Sequence, residues 1–519
     1  MKLYILPDTK MLAPMTGAPQ MEICARCHSR RVPISEDYVH GKPLLDTHRL
    51  SLLDERLYHA DGQIKDEVYV YGSFIQSRMH REGIVCADCH DPHSMRTYRQ
   101  GNALCVRCHD ADELDTKEHH FHEPGTEGSY CVDCHAPETT YMVVDPRRDH
   151  SFRIPRPDLS DRLGTPNACN GCHDDQTNEW SAKYVREWYG KDRRQEWHYG
   201  EAIHAGREGA PGAAAELAKL ARDESQPGIS RATALMLLAR FRGPAARAVM
   251  PKALKDDDPI VRAAAVRSLA DWPASDAADL ALPRLSDPVR LVRVEAARLL
   301  ATVSPGRLSK EQQERLREGV VEYIRSETVN SDRGASHANL GIFHTRRRDL
   351  AAAEAAYRTA IAVEPAEMRP YVNLADLYRE TGRDDLGQEV LERALERAPD
   401  DAALHHAMGL LLVRRDRRND ALVSFQRAAT LLPGNARFVY VYGVALNDAG
   451  LSERAIEVLR DGLARHDNDP GILQALATMY RDAGRIPEAI VIASKLTKVS
   501  PEDAGAKALL QQLRAAHRK

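Results

Sequence analysis

The chain has 519 residues, 43% of them hydrophobic and 29% charged, with a formal net charge of −4, which suits about three domains. No apolar run approaches the ~18 residues of a membrane span. Near-neutral charge without a basic, aromatic-interleaved stretch excludes a general attraction to nucleic acid or anionic lipid.

At the N-terminus, Leu3–Leu6 offers four apolar residues before Pro7, too short for the apolar region of a signal peptide. Five C-x-x-C-H units follow: Cys24/Cys27/His28, Cys86/Cys89/His90, Cys105/Cys108/His109, Cys131/Cys134/His135 and Cys169/Cys172/His173. They use all 10 cysteines. The pattern is the attachment signature of c-type haem, in which two thiols form thioethers and the adjoining imidazole becomes the proximal iron ligand. The expectation is five covalent haem c groups. Cys86/Cys89 and Cys105/Cys108 also fit a zinc-ribbon spacing. Five units cannot pair into four-cysteine sites, however, and His, 22 of 519 residues, follows every second cysteine. Attachment of this kind takes place outside the bacterial cytoplasm, so the expectation is an extracytoplasmic, periplasmic protein whose export signal lies upstream of Met1.

Residues 1–200 hold every cysteine and most histidines, with many Pro and Gly and no long helical period. Such a segment cannot build an ordinary core, and flat apolar macrocycles replace one. Nine further histidines lie between the motifs: His40, His48, His59, His80, His93, His119, His120, His122 and His150. A surplus of this size points to bis-His irons, with Met79, Met95 and Met142 as alternatives. His93 is too close to His90 to reach the far side of its own macrocycle, so it, His80 and His122 are expected to bridge neighbouring haems. His150 completes the set, the first haem takes His40 or His48, and His59, His119 and His120 are read as surface or supporting residues. Arg26, Arg30, Arg31, Arg78, Arg81, Arg107, Arg147, Arg148, Arg153 and Arg156 are candidate counter-charges for haem propionates, with plain solvation as the alternative.

Residues 201–330 repeat at 31 residues. Arg231-Ala232, Arg262-Ala263 and Arg293-Val294 align, as do Leu238, Leu269 and Leu300, and Asp258-Pro259 and Asp287-Pro288 have the form of helix starts. HEAT-like helical pairs are expected over 210–305. Residues 331–519 repeat at 34 residues. Leu340-Gly341, Ala353, Tyr357, Ala360 and Pro365 recur as Leu374-Ala375, Leu391, Ala394 and Pro399, then as Met408-Gly409, Ala421, Phe425, Ala428 and Pro433. Tyr442-Gly443, Ala455 and Leu459 and then Leu476-Ala477, Tyr480, Ala489 and Pro501 extend this to five tetratricopeptide repeats, with a capping helix over 503–517. Stacked pairs of this kind leave a concave face for a partner. Asn339 and Asn373 share a repeat position there, and His405 and His406 are read as surface or packing residues.

The run Met79-His80 to Cys86-Ala-Asp-Cys-His-Asp-Pro-His93, with Asp149-His150-Ser-Phe-Arg-Ile-Pro and Pro166-Asn-Ala-Cys-Asn-Gly-Cys-His173, resembles multihaem c-type cytochromes of the cytochrome c554 and doubled-CxxCH type that carry C-terminal tetratricopeptide repeats. The resemblance implies closely stacked haems forming an electron path, and further motifs upstream. Its superfamily includes nitrite reductases, which typically mark the catalytic haem with Lys in place of the proximal His, and no C-x-x-C-K occurs here. The fold class expected is mainly α, a loop-rich multihaem cytochrome c domain followed by an α-solenoid. The function expected is electron transfer through five bis-His haems, with the repeats docking a redox partner. The alternatives are a haem oxidoreductase acting on small nitrogen or sulfur compounds at an open iron, and a scaffold whose haems are structural.

Overall fold

The structure, a computed structural model, describes residues 18–94, 96–190, 196–241, 243–500 and 503–518; Met1–Pro7, Met95 and Pro501, named above, lie outside them. The chain is mainly helical and divides into two compact units, one up to Asn330 and one from Ser331 to Lys519.

In the first unit the motifs sit on short pieces. Helix Ala18–His28 carries the first, the one-turn helices Cys86–Cys89, Asn102–Cys105 and Cys131–His135 carry parts of the next three, and the 3-10 turn Cys169–Gly171 opens the fifth. Single turns and two-stranded ladders, such as Glu138–Tyr141 paired antiparallel with Asp145–Arg148, are too small to persist alone. Local caps help. Ser77 accepts from the His80 N–H at 3.0 Å, and Asp110 caps helix Ala111–Leu114.

Residues 34–75 depart from the expectation of a region without a core. Ile34, Leu45, Leu53, Tyr58, Ile64 and Phe74 are buried in one continuous apolar cluster with Ile203, Leu217, Ile229 and Leu235 of the HEAT helices. Polar links fasten the same seam. The Leu53 N–H donates to Thr233 Oγ1 at 3.1 Å, Arg207 donates to the Tyr58 and Leu53 carbonyls at 3.2 and 2.9 Å, and Tyr199 donates to the Asp61 carbonyl at 2.8 Å. The motif-bearing lobe and the HEAT helices thus share one core.

The 31-residue period acquires a physical cause. Arg231 makes a two-pronged pair with Asp256 at 2.5 and 2.9 Å, Arg262 with Asp287 at 2.8 and 3.0 Å, and Arg293 with Glu322 at 2.9 and 2.6 Å. Each guanidinium matches a carboxylate brought by the following repeat, and Arg262 and Arg293 also hold the intervening backbone carbonyls. Asp258 caps helix Pro259–Ser268 as expected. Asp287 does not cap the next helix, which runs Arg290–Leu300 with Val289 at its N-cap, because its carboxylate is spent on Arg262 and the Val289 N–H.

The second unit is five antiparallel helix pairs, from Gly334–Arg346 with Leu350–Val363 to Pro470–Asp482 with Ile486–Val499, closed by Ala504–His517. In three of the pairs a glycine of the first helix receives a large residue of the second. A Cβ on Gly341 would lie 2.4 Å from the Tyr357 ring, one on Gly409 2.5 Å from Phe425, and one on Gly443 2.5 Å from Leu459. His406 is buried against Phe438, ring centres 4.6 Å apart, and His405 is half-buried.

Candidate cofactor site

The motif-bearing lobe encloses a cavity of about 2880 Å³, several times the 300–1,000 Å³ of an ordinary ligand pocket. Cysteines and histidines of the second to fifth motifs line it, together with His119, His120, His122, His150 and His198. Consecutive motifs touch in chain order. The Cys24 and Cys86 thiols are in hydrogen-bonding contact, Arg107 of the third motif donates to the Asp88 carbonyl of the second at 2.8 Å, and the Cys105 and Cys131 thiols are in contact. Asn102 Oδ1 accepts from the Cys131 N–H at 2.9 Å, and Cys134 lies within electrostatic reach of Cys169. All ten cysteines are free thiols. Burial pushes Cys86 and Cys134 up to about 12.

Three motif imidazoles face a second imidazole. His90 and His150 have ring centres 6.4 Å apart, His135 and His119 6.3 Å, and His173 and His122 6.3 Å. Two imidazoles bonded at about 2 Å to one metal from opposite sides hold their ring centres roughly 6 Å apart. In each pair one imidazole also has its other ring nitrogen committed. Nδ1 of His135 meets the Arg153 carbonyl at 2.9 Å, Nδ1 of His150 the Arg148 carbonyl at 3.0 Å, and Nδ1 of His122 the His120 carbonyl at 2.5 Å. A carbonyl only accepts, so each Nδ1 carries the proton and Nε2 keeps its lone pair, the arrangement of metal-bound histidine. Burial lowers His90, His109 and His150 below the usual histidine range, favouring the neutral, ligating form. Among the described residues no group of three or more His, Cys, Asp or Glu side chains is placed to hold a metal ion by itself. A haem iron draws only its axial ligands from the protein. The residues present fit that group.

The other candidates are distributed differently. His109 lines the cavity. Cys27 and His28 are exposed, while His48 is buried with Nδ1 2.9 Å from Thr47 Oγ1, and burial followed by Arg31 and Arg26 lowers it to about 4. His40 is exposed beside Tyr38. His80 is half-buried, edge-on to Phe74 at 5.9 Å, with a buried Nδ1 that has no hydrogen-bond partner among the described residues. His93 lies exposed on a turn whose N–H is taken by Asp91. His59 is half-buried in the lobe. His119, read as a surface or supporting residue, instead faces His135.

Half of the arginines read as propionate partners are engaged by carboxylates. Arg78 pairs with Glu82, Arg147 with Glu67 and Asp145, Arg148 with Glu138, Arg153 with Asp61 and Asp149, and Arg156 with Asp158.

Sequence reasoning passed over two features. His198 is half-buried and lines the cavity, but its sequence surroundings carry no ligand signal. Helix Asn178–Tyr189 turns Trp180, Tyr184 and Trp188 toward the cavity. Their four-residue spacing puts them on one face, and it was legible. Trp180 lies 5.0 Å from the His173 ring and Trp188 stacks on Phe121 at 4.4 Å.

Residues 213–301 match the family of HEAT repeats, and residues 345–411 match the tetratricopeptide repeat family. The two segments are HEAT and tetratricopeptide repeats. Solved structures similar to part of the chain include MamA protein, 19% identical over 33% of this chain and 94% of that one with a TM-score of 0.29. PilF of Pseudomonas aeruginosa is 18% identical over 36% and 84%, TM-score 0.32. YrrB, described as a TPR protein with an unusual peptide-binding site, is 17% identical over 36% and 95%, TM-score 0.29. No curated protein matches the chain. No helix among the described residues is long and apolar enough to cross a membrane.

Proposed function

We propose that the chain is an extracytoplasmic multihaem c-type cytochrome that passes electrons along its five C-x-x-C-H motifs, and that its repeats dock a redox partner protein. The observation that carries the reading is the facing of motif imidazoles and second imidazoles across a cysteine-lined cavity, at the separation that one metal between them requires. Haem, when bound, supplies an iron that takes up and returns a single electron. The chain's own part is fixation and spacing. Cys89, Cys105, Cys131, Cys134 and their counterparts offer thioether anchors, and the Arg148 and Arg153 carbonyls fix which nitrogen of His150 and His135 is free. Contacts between successive motifs favour a relay in sequence order. Stacked helix pairs are suited to protein docking.

The test is the intact mass of the exported, mature protein after acid-acetone extraction. Five haem masses above the polypeptide are expected, and a bare polypeptide mass would refute the reading. Shortening the chain to end at Asn330 should preserve the visible spectrum while abolishing association with the native partner. Loss of haem incorporation in that truncation would refute the docking role.

A further inference from the structure

The segment Lys117–His122 presents two imidazoles to two different motifs. His119 faces His135 with ring planes 14° apart and His122 faces His173 with planes 39° apart, both at 6.3 Å between centres. The divergence has a backbone cause. The one-turn helix Lys117–His120 ends at Phe121, which adopts φ 58° in the left-handed region, a conformation that a bulky residue takes only when its surroundings enforce it. Those surroundings come from helix Asn178–Tyr189. Trp188 stacks on the Phe121 ring with planes 5° apart, and the Tyr189 hydroxyl donates to the His119 carbonyl. On the other side Gly128, at φ 85°, gives the His122 ring room that a side chain would fill, since a Cβ there would lie 2.6 Å from His122 Cδ2.

We infer that this segment clamps two irons: His119 is the second axial ligand of the iron carried by Cys131, Cys134 and His135, and His122 that of the iron carried by Cys169, Cys172 and His173. The inference rests on the haem reading above and adds to it the residues that tie the fourth and fifth haems to one backbone turn. His120, between the two, plays no such part. Its Nδ1 accepts the His122 N–H at 3.2 Å, so that nitrogen must be unprotonated, unlike the Nδ1 of His122.

The experiment uses the full, mature holoprotein and its variants His119→Ala, His122→Ala and His120→Ala, read by intact mass and by ferric EPR. Each of the first two should keep five haems and convert one low-spin iron to high spin, the double variant should convert two, and added imidazole should restore the low-spin signal. His120→Ala should keep all five irons low spin. Five low-spin irons in His119→Ala or His122→Ala overturn the assignment for that residue, and a high-spin iron in His120→Ala overturns it in favour of the neighbour. Should an alanine variant fail to accumulate, His119→Met and His122→Met supply an alternative ligand that raises one haem potential; an unchanged redox titration then overturns the assignment. Wild-type protein without haem mass would instead remove the reading on which the clamp rests.

Discussion

Glu295, in the third HEAT helix of the arginine series, is 1% exposed and sits among three guanidinium groups, Arg49 at 3.0 Å, Arg298 at 3.0 Å and Arg267 at 3.8 Å. Burial alone would raise its carboxyl, but Arg49, Arg298 and Arg267 outweigh that and hold it at about 2 instead of 4.5. A depression of that size corresponds to about 3 kcal/mol of stability. Because the folded value lies below the unfolded one, this contribution is fully present above pH 4.5 and is lost as pH falls toward 2. Removing one partner of a buried ion pair costs roughly 3–5 kcal/mol, so Glu295→Gln should destabilise the first unit by that amount at pH 7. All four tryptophans, Trp180, Trp188, Trp197 and Trp272, belong to this unit, so urea unfolding followed by tryptophan emission reports on it alone. The gap between wild type and variant should narrow as the titration is repeated from pH 5 to pH 3. A loss under 1 kcal/mol at pH 7, or a gap that does not change with pH, refutes the claim that a charged Glu295 holds this seam.

Arg262→Ala leaves Asp287 buried without its two-pronged partner and should cost about 3 kcal/mol in the same tryptophan assay. Gly409→Ala forces a methyl to within 2.5 Å of Phe425 and should destabilise the second unit by about 1–3 kcal/mol, measured as lost amide-exchange protection in helices Ala402–Arg414 and Arg418–Leu431 with the tryptophan transition unmoved. Gly128→Ala combines a left-handed backbone with a clash on His122. It should perturb one low-spin signal in the ferric EPR spectrum and leave the others; five unaltered signals would count against the cradle.

The tetratricopeptide unit was legible because its cause is local: Gly341 with Tyr357 and Gly409 with Phe425 are helix-on-helix contacts sixteen residues apart, and spacing alone reveals them. The HEAT period was legible as a row of arginines, but not its reason, since Asp256 and Asp287 are ordinary turn residues until the fold delivers them to Arg231 and Arg262. The cysteine motifs were explicit. Which imidazole faces which was not, because His119, His120 and His122 lie within four residues of each other and a single left-handed residue, Phe121, decides where each ring goes. Residues 34–75 were hidden as core because their apolar positions follow neither helical nor strand periodicity and are matched only by the HEAT helices they meet.

That shared core changes where the chain can be divided. A cut after residue 200 would separate Leu53 and Tyr58 from Leu217 and Ile229 and strand Arg49 from Glu295. The first three repeats are therefore the foundation on which the motif-bearing lobe is laid, and a substitution deep in a HEAT helix belongs to the same stability problem as one beside a cysteine. The chain divides instead at Asn330, where the first compact unit ends, and a substitution in the tetratricopeptide unit leaves that foundation untouched.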